Sequence, residues 1–420
     1  MDLQYPFLFR AQQSRFLFIA TLALLYVSIC VETDMYVPSF PQMVLDLGTT
    51  ENKIQGVLGI NFLGLCLSSL WTGPLADSFG RRKTILVGMT LFVLASLGCV
   101  FSPDLPTLLF FRFIQGLGAG APMTAGFAVL LDRLDRKSSA SVIGMMNTGI
   151  TLTMAGAPVL GSWVTFHFHW KMNFIIISVL GIISWLSFYL FIPETLAEED
   201  RTQFRMKQVL KDFTTALTHP KFIAYVLICT FIFSGIIVFA SNQSLIFLNY
   251  LKVSPSIYGF YQASSMGSFG IASLASGWFI RRFDVSGAMN ACMAFISSGA
   301  LCLILTALLF PQSAPLICLS TVLISIGGGL GIGSLASIAM DIFPNMKATA
   351  SGSMGFIRLM ITALIVSFSA KVFDGSILPI AIIIATSQAL ACLIYLWVRN
   401  GAQSRLQNST PEDSIPLAFH

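Results

Sequence analysis

The chain has 420 residues, of which 55% are hydrophobic and only 10% are charged, and its net charge is +5. Soluble globular domains carry about 25% charged residues, so this composition excludes a fold whose surface faces water. Lipid solvates apolar surface, and the composition therefore predicts a multi-pass membrane protein with no nucleic-acid partner. All eight cysteines fall in apolar stretches without a CxxC pair, so we expect neither a disulfide framework nor a metal site.

Twelve predominantly apolar stretches follow one another along the chain, and each approaches the roughly 20 residues that a helix needs to cross a bilayer. They occupy residues 16–40, 54–75, 84–101, 106–131, 138–165, 172–192, 222–248, 255–280, 285–310, 312–340, 348–370 and 376–398. The pattern predicts an all-α membrane protein with twelve transmembrane helices.

The basic residues between these stretches indicate the orientation of the chain. If the N-terminus is cytoplasmic, eighteen Lys and Arg residues lie in cytoplasmic segments, and four lie in outer loops. Those four are Lys53, Lys171, Lys252 and Lys371. Because short cytoplasmic loops are enriched in Lys and Arg, this distribution predicts that both termini are cytoplasmic.

The longest connection between two apolar stretches divides the chain into two halves of six predicted helices. An Arg pair follows helix two and again helix eight, and helices four and ten are both rich in glycine. Such repeats are known among secondary transporters. We therefore predict an N-terminal half at 1–192, a linker at 193–221, a C-terminal half at 222–398 and a cytoplasmic tail at 399–420. The linker forms either an amphipathic helix on the lipid surface or a solvated helix.

Charged residues inside a span are costly and therefore mark functional sites. The predicted spans contain four such residues, namely Glu32, Asp34, Arg112 and Arg358. A carboxylate shielded from water can carry a proton, so we expect Asp34, and to a smaller extent Glu32, to take part in proton coupling. The two acids lie about 200° apart around an ideal helix, so we do not expect them to share one proton.

Arg112 keeps its charge at any physiological pH. Three roles are open for this residue: it neutralises Asp34, it binds an anionic substrate, or it donates hydrogen bonds to carbonyl groups of neighbouring helices. Our leading hypothesis pairs Arg112 with Asp34. A second cation, Arg358, would favour anionic or zwitterionic cargo if it faces the same cavity. Amide, thioether and aromatic side chains at helical spacing complete the predicted lining, although each alone is more typical of helix packing: Asn61, Gln115, Met146, Asn147, Phe239 and Asn242.

The connection between helices two and three reads Gly73-Pro-Leu-Ala-Asp-Ser-Phe-Gly-Arg-Arg-Lys83. Gly73 and Gly80 allow a tight turn and close helix contact. Asp77 can face the N-terminus of a helix, where a carboxylate is favoured, and we expect that helix to be number eleven. Arg81 and Arg82 hold the loop at the cytoplasmic face.

This loop resembles the signature loop of the major facilitator superfamily, which acts as a conformational latch. The run Arg112-Phe-Ile-Gln-Gly-Leu-Gly-Ala-Gly120 is similar to the fourth-helix motif of that family, and Ala155-Gly-Ala-Pro-Val-Leu-Gly161 resembles the fifth-helix motif of its antiporters. The resemblance implies a hinge at Gly149, Gly156, Pro158 and Gly161. Ala157 and Ser162 replace glycines of the motif, which weakens the antiporter signal. Pro158 also predicts a bend, because proline cannot donate to the preceding turn.

Two further segments narrow the resemblance. Asp34-Met-Tyr-Val-Pro-Ser-Phe-Pro41 and Pro193-Glu-Thr-Leu196 resemble the corresponding segments of the bicyclomycin-resistance (Bcr/CflA) subfamily of drug:proton antiporters. This resemblance implies that Asp34 lies in a central cavity. It also implies a monomer in the bacterial inner membrane that exports drug-like compounds or metabolites in exchange for protons.

The sequence contains no HExxH, GxSxG or P-loop lysine motif, and its four histidines form no metal-binding pattern. It therefore favours a transporter driven by a proton gradient, without a cofactor, over an enzyme or an ATP-driven pump. Import of a nutrient or siderophore by the same fold stays open as an alternative. A non-transporting receptor is a third, weaker reading, because the chain contains no sizeable soluble domain.

Overall fold

The computed structural model describes residues 15–133, 136–201, 206–343 and 347–408. Within these ranges the chain is almost entirely helical and contains no β-strand. In chain order the helices are α1 (Arg15–Asp34), α2 (Phe40–Asp46), α3 (Glu51–Ile54), α4 (Gly56–Phe79), α5 (Arg81–Val100), α6 (Leu105–Arg133), α7 (Arg136–His167), α8 (Trp170–Phe191), α9 (Met206–Thr218), α10 (Pro220–Ser244), α11 (Pro255–Leu309), α12 (Ala314–Asp341), α13 (Lys347–Val372) and α14 (Leu378–Asn408).

Ten helical segments among the described residues are long and apolar enough to cross a membrane, which confirms the predicted all-α membrane architecture. One of them, within α11, contains Asp284 with a non-helical backbone (φ 60°, ψ 173°), so two helices meet there. This break coincides with the predicted boundary between helices eight and nine. The fifth predicted span coincides with α7, which is not among the ten. The total of twelve and the location of the termini stay predictions.

The first α-helix ends earlier than the sequence predicted, at Asp34 instead of residue 40, and short helices continue the first span to Asp46. A turn at Met35 and Tyr36 and a 3-10 helix at Val37–Ser39 follow it. Pro38 within this segment has no N–H group to continue an α-helical hydrogen-bond ladder. The helix therefore ends inside the bundle, and Tyr36 just beyond it is fully buried.

Glycines bring α4 and α6 into backbone contact. A Cβ atom at Gly116 would overlap the carbonyl oxygen of Asn61, and one at Gly64 would overlap that of Phe113. Small residues allow this approach, which is a common way for membrane helices to pack without a hydrophobic driving force. The contact has a direct consequence for the site, because it places Asn61 beside Arg112.

The two halves meet along α4 and α13 and along α7 and α11. The Cys66 thiol in α4 donates a hydrogen bond of 3.3 Å to the carbonyl oxygen of Phe356 in α13. On the other side of the bundle, a Cβ atom added to Gly259 in α11 would lie 3.4 Å from the Cα atom of Val159 in α7, which is van der Waals contact. These two seams leave the polar residues of α1, α6, α10 and α13 in the interior.

The linker helix α9 packs part of its surface against the C-terminal half, and the two alternatives predicted for it stay open. The Phe213 ring lies 5.3 Å from the Phe356 ring, measured between centroids, and Ala216 is only 1% exposed. The apolar face of α9 therefore contacts the C-terminal half, as far as its described side chains extend. The contact covers only part of the apolar surface of α9, since Leu217 remains 37% exposed.

Replacing Gly116 with alanine should destabilise the protein, because the added methyl group meets the backbone of α4. Overpacking of this kind costs about 1–3 kcal/mol, so we expect a lower melting temperature in detergent. Gly333→Ala is the matched control, since no heavy atom lies within 4 Å of its Cβ position. Equal melting temperatures for the two variants would contradict the proposed role of Gly116.

Candidate functional site

A buried polar cluster surrounds Arg112 in the N-terminal half. The Arg112 side chain is 0% exposed, and its Nη1 atom donates to the Glu32 carboxylate, with which it forms an ion pair. Nη1 also donates to Gln115 Oε1 at 2.6 Å, and Nη2 donates to the Tyr36 hydroxyl at 2.9 Å. The guanidinium carbon lies 4.3 Å from the centroid of the Tyr36 ring, a cation–π contact. Arg112 thus has a carboxylate, an amide, a phenol and an aromatic face around it.

A second layer of hydrogen bonds fixes the partners of Arg112. Asn61 Nδ2 donates to Glu32 Oε1 at 2.9 Å and to the Arg112 carbonyl at 3.1 Å. Gln115 Nε2 donates to Ser96 Oγ at 2.7 Å. Because the side chains come from α1, α4, α5 and α6, the cluster ties four helices of one half together. A buried ion pair of this kind is tolerated when hydrogen bonds satisfy its remaining polar atoms.

The partner of Arg112 is Glu32, and the hypothesis that paired it with Asp34 is wrong for this conformation. The physical reason is the helical angle between the two acids, which directs them to different sides of α1. Asp34 is 8% exposed, and its side chain forms no ion pair or hydrogen bond with a described residue. Its carboxylate lies within electrostatic range of Glu32 in the same helix and of Tyr258 in α11, which belongs to the C-terminal half.

The other predicted lining residues do not join this cluster. Phe239 and Asn242 lie in α10 of the C-terminal half, where Asn242 donates to the Val238 carbonyl at 2.8 Å and its Oδ1 has no partner. Met146 is buried in α7, and the side chain of Asn147 lies outside the described part of the chain. The structure therefore brings together Glu32, Arg112, Gln115 and Asn61 and separates the rest.

Arg358, the fourth charged residue of the spans, lies in α13. Its guanidinium carbon is 5.1 Å from the centroid of the Phe233 ring in α10. The side chain is partly accessible, while its Nε atom is buried without a hydrogen-bond partner. No described acidic side chain forms an ion pair with it.

The two halves touch at the predicted outer end of the bundle. Asn249 Nδ2, beyond α10, donates to Glu51 Oε1 of α3 at 2.5 Å. A cavity of about 330 Å³ lies beside this contact, and the residues that line it come from both halves: Pro38, Pro41, Gln42, Ser162, Thr165, Phe166, Leu248 and Val253. In this conformation, the Asn249–Glu51 hydrogen bond joins the two halves at the outer end of the bundle. Asp34 lies at the end of α1 that leads to this side.

The predicted latch residues form an ionic network at the opposite end. Gly80 between α4 and α5 has φ +100°, a conformation that glycine adopts without strain. Arg81 lies 3.0 Å from Asp132 of α6 and 3.7 Å from Asp77, measured between nitrogen and oxygen atoms. The expected contact of Asp77 with the start of helix eleven stays a prediction. A Cβ atom added to Gly73 would lie 3.8 Å from the Thr124 methyl carbon, so Gly73 has no close backbone contact among the described residues.

Glu194 is a component of this network that the sequence analysis missed. Its carboxylate accepts hydrogen bonds from the backbone N–H groups of Arg81 (2.9 Å) and Arg82 (3.3 Å), the first two residues of α5. A carboxylate at a helix N-terminus satisfies unpaired N–H groups and interacts favourably with the helix dipole. The Arg82 side chain donates in turn to the carbonyl oxygens of Ile192 and Tyr189, both at 2.7 Å. The Pro193–Leu196 motif therefore caps α5.

The four predicted hinge residues of α7 have different environments. A Cβ atom at Gly161 would overlap the carbonyl oxygen of Met35, so this glycine allows the end of α1 to approach α7. At Gly149 and Gly156, nothing lies within 4 Å of the Cβ position. Pro158 is buried within α7, which continues on both sides of it.

Comparison with known proteins identifies a family and several relatives. The family model "Major Facilitator Superfamily" matches residues 22–367. A bicyclomycin resistance protein homolog of Haemophilus influenzae is 25% identical over 387 residues, which is 92% of this chain and 97% of that protein. The multidrug resistance protein MdtL of Shigella dysenteriae is 27% identical over 396 residues, covering 92% and 96%.

Solved structures share the fold. The xylose transporter XylE from E. coli, in a partially occluded inward-open conformation, superposes with a TM-score of 0.68 at 14% identity and covers 91% of this chain and 97% of its own. A D-xylose-proton symporter superposes with a TM-score of 0.72 at 13% identity and covers 90% and 97%. The predicted resemblance to a superfamily of transporters is confirmed.

A double-mutant cycle on thermal stability in detergent should detect the Glu32–Arg112 pair. Glu32→Gln or Arg112→Gln alone leaves a buried charge unpaired, which typically costs about 3–5 kcal/mol. The double variant should lose clearly less than the sum of the single losses. Asp34→Asn combined with Arg112→Gln is the matched control and should be additive. Additive losses for Glu32 and Arg112 would refute the pairing.

Glu194→Ala should lower the stability of the protein by about 0.5–2 kcal/mol, because the first turn of α5 loses its cap. The comparison variant is Glu198→Ala, since the Glu198 side chain is 71% exposed and its ion pair with Arg201 is long, at 3.5 Å. Melting in detergent measures both. The capping role would be wrong if the two substitutions lowered the melting temperature equally.

Proposed function

This chain belongs to the major facilitator superfamily, and from that membership we propose that it is a proton-coupled transporter which exports small molecules from the cytoplasm by alternating access. It is a multi-pass membrane protein and a transporter rather than an enzyme. The names of its relatives, which refer to bicyclomycin and multidrug resistance, favour efflux of drug-like compounds or metabolites. The observation that carries the proposal is the carboxylate of Asp34, which forms no ion pair with a described residue, while the buried Arg112 pairs with Glu32 instead.

We assign proton transfer to Asp34. It can accept a proton without breaking an ion pair, because no described cation contacts it. Glu32 cannot, since its protonation would leave the guanidinium of Arg112 without its counter-ion. Glu32 then holds Arg112 and the four surrounding helices, while Asp34 exchanges a proton as the two halves move.

The position of Asp34 supports a link between protonation and movement. It ends α1 and lies within electrostatic range of Tyr258 of α11, which belongs to the other half. A charged Asp34 at this boundary favours an arrangement in which water reaches it, whereas the neutral acid tolerates a closed one. Protonation can therefore bias the equilibrium between the two arrangements of the halves.

For the membrane topology, we propose twelve spans with both termini in the cytoplasm of a bacterial cell and the chain in its inner membrane. The ten apolar spans, the break of α11 at Asp284 and the additional helix α7 support that number. With this topology, the Glu51–Asn249 contact closes the outer side, which favours an inward-facing state in this conformation. We expect a monomer, because one chain supplies both halves.

The network of Arg81, Asp77, Asp132 and Glu194 then lies on the cytoplasmic side and acts as the conformational latch. Its ion pairs connect the ends of α4, α5 and α6, so these helices move as one unit. Gly161 of the hinge motif serves close packing with α1. Gly149 and Gly156 leave open space around α7, which is compatible with bending.

Proton-coupled import of a nutrient or siderophore is the second candidate, because the same site can couple inward movement to inward proton flow. Proteoliposomes with an imposed pH gradient and a panel of antibiotics that includes bicyclomycin distinguish the two. For export by antiport, a compound should accumulate on the side with the lower pH. Accumulation on the side with the higher pH would favour the importer, and transport that ignores the gradient would refute proton coupling.

Asp34→Asn should abolish the response of transport to the pH gradient, because the proton carrier is removed. Glu32→Gln should lower stability and rate but keep the pH response, since Asp34 remains. The measurement is the initial rate of transport at several imposed gradients, with protein folding checked by melting in detergent. A normal pH response of the Asp34 variant would contradict this assignment. Equal loss in both variants would show that the two acids act together.

A further inference from the structure

Arg358 is a charged residue in the interior of the C-terminal half that the proton-coupling scheme does not use. It is the twelfth residue of α13, which begins at Lys347 and ends at Val372. At about 1.5 Å per residue, it lies about 16 Å from the start of the helix and so near the middle of the bilayer. A charge at that depth requires a partner or a functional reason.

The sequence of the C-terminal half contains no partner for Arg358 within a span. Between residues 222 and 398, the only acidic residues are Asp284, Asp341 and Asp374. They lie at the break of α11, at the end of α12 and in the loop before α14. The carboxylates of these residues therefore lie near the ends of the bundle, whereas Arg358 lies at its middle.

The contrast with Arg112 shows that the missing partner is specific to Arg358. Arg112 donates to a carboxylate, an amide and a hydroxyl, and it is fully buried. Arg358 lies beside the Phe233 ring and within electrostatic range of the Cys229 thiol, and its side chain stays partly accessible. The Nε atom of each arginine is buried without a hydrogen-bond partner, but of the two only Arg112 has a carboxylate partner among the described residues.

The open guanidinium has the geometry for an oxyanion. Arginine remains charged and presents a planar fork of N–H donors that matches a carboxylate or sulfonate group. The Phe233 ring covers one side of the fork with an aromatic surface. An organic anion would therefore find a charged contact and an apolar contact next to each other.

We propose that Arg358 binds the anionic group of the transported compound, so that the cargo of this protein includes organic anions with an aromatic or apolar body. This inference rests on the proposed export function for its physiological meaning. Binding itself requires no proton gradient, which allows it to be tested separately.

Two fluorescent probes that share one scaffold test the proposal. Anilinonaphthalene sulfonate carries an anionic group, and phenylnaphthylamine lacks it. Equilibrium binding of each probe is measured with the purified full-length protein in nanodiscs, and binding to empty nanodiscs is subtracted. We expect the wild type to bind the sulfonate, and Arg358→Gln to weaken that binding at least tenfold while the affinity for the neutral probe stays within twofold.

Two further variants separate recognition from structural support. Arg358→Lys keeps the charge but lacks the planar fork, so it should retain an intermediate affinity for the sulfonate. Arg399→Gln is the matched control, because Arg399 is exposed, lies in α14 away from Phe233, and its contacts are with Asn290 and Tyr395. Its affinities for both probes should equal those of the wild type.

The outcomes that overturn the proposal are distinct from a failure of export. Equal weakening of both probes in Arg358→Gln would indicate a structural role, and unchanged affinities would show that Arg358 does not contact the ligand. Absence of specific sulfonate binding to the wild type would also refute it. A protein that binds the anion through Arg358 but moves nothing against a pH gradient would leave this inference intact and refute the proposed proton coupling.

Discussion

The ion pair between Glu32 and Arg112 is the interaction on which the N-terminal half depends. The core of a bilayer offers no water to solvate a charge, so an arginine there needs a counter-ion and enough acceptors. Glu32 supplies the charge, and Gln115 and Tyr36 supply further acceptors. Because Asn61 of α4 donates to Glu32 and Ser96 of α5 accepts from Gln115, satisfying one charge fixes the relative positions of α1, α4, α5 and α6.

Glycine packing makes this cluster possible. Gly64 and Gly116 let α4 and α6 approach until their backbones touch, and only then does Asn61 reach both the Glu32 carboxylate and the Arg112 carbonyl. The packing and the electrostatics are thus mutually dependent. A larger side chain at Gly116 would disturb the hydrogen bonds as well as the helix contact.

The two halves use their charges differently. In the N-terminal half, Arg112 pairs with Glu32, and the carboxylate of Asp34 has no ion-pair partner among the described residues. In the C-terminal half, Arg358 has an aromatic neighbour and no described acidic partner. One half therefore offers a group that can exchange a proton, and the other offers a group that can hold an anion. Both roles follow from the absence of a fixed partner.

The sequence by itself determined the membrane class, the all-helical fold, the superfamily and the four charged residues of the spans. These follow from the hydropathy of continuous stretches, from short motifs and from charge, which are all local properties. It did not determine the partner of Arg112, the capping of α5 by Glu194 or the docking of α9. Each of these joins residues far apart in the chain, and the helical angle that separates Glu32 from Asp34 became informative only when the packing of α1 against α6 was known. Tertiary structure decides such contacts, because a side chain's partner depends on which helix face meets which neighbour.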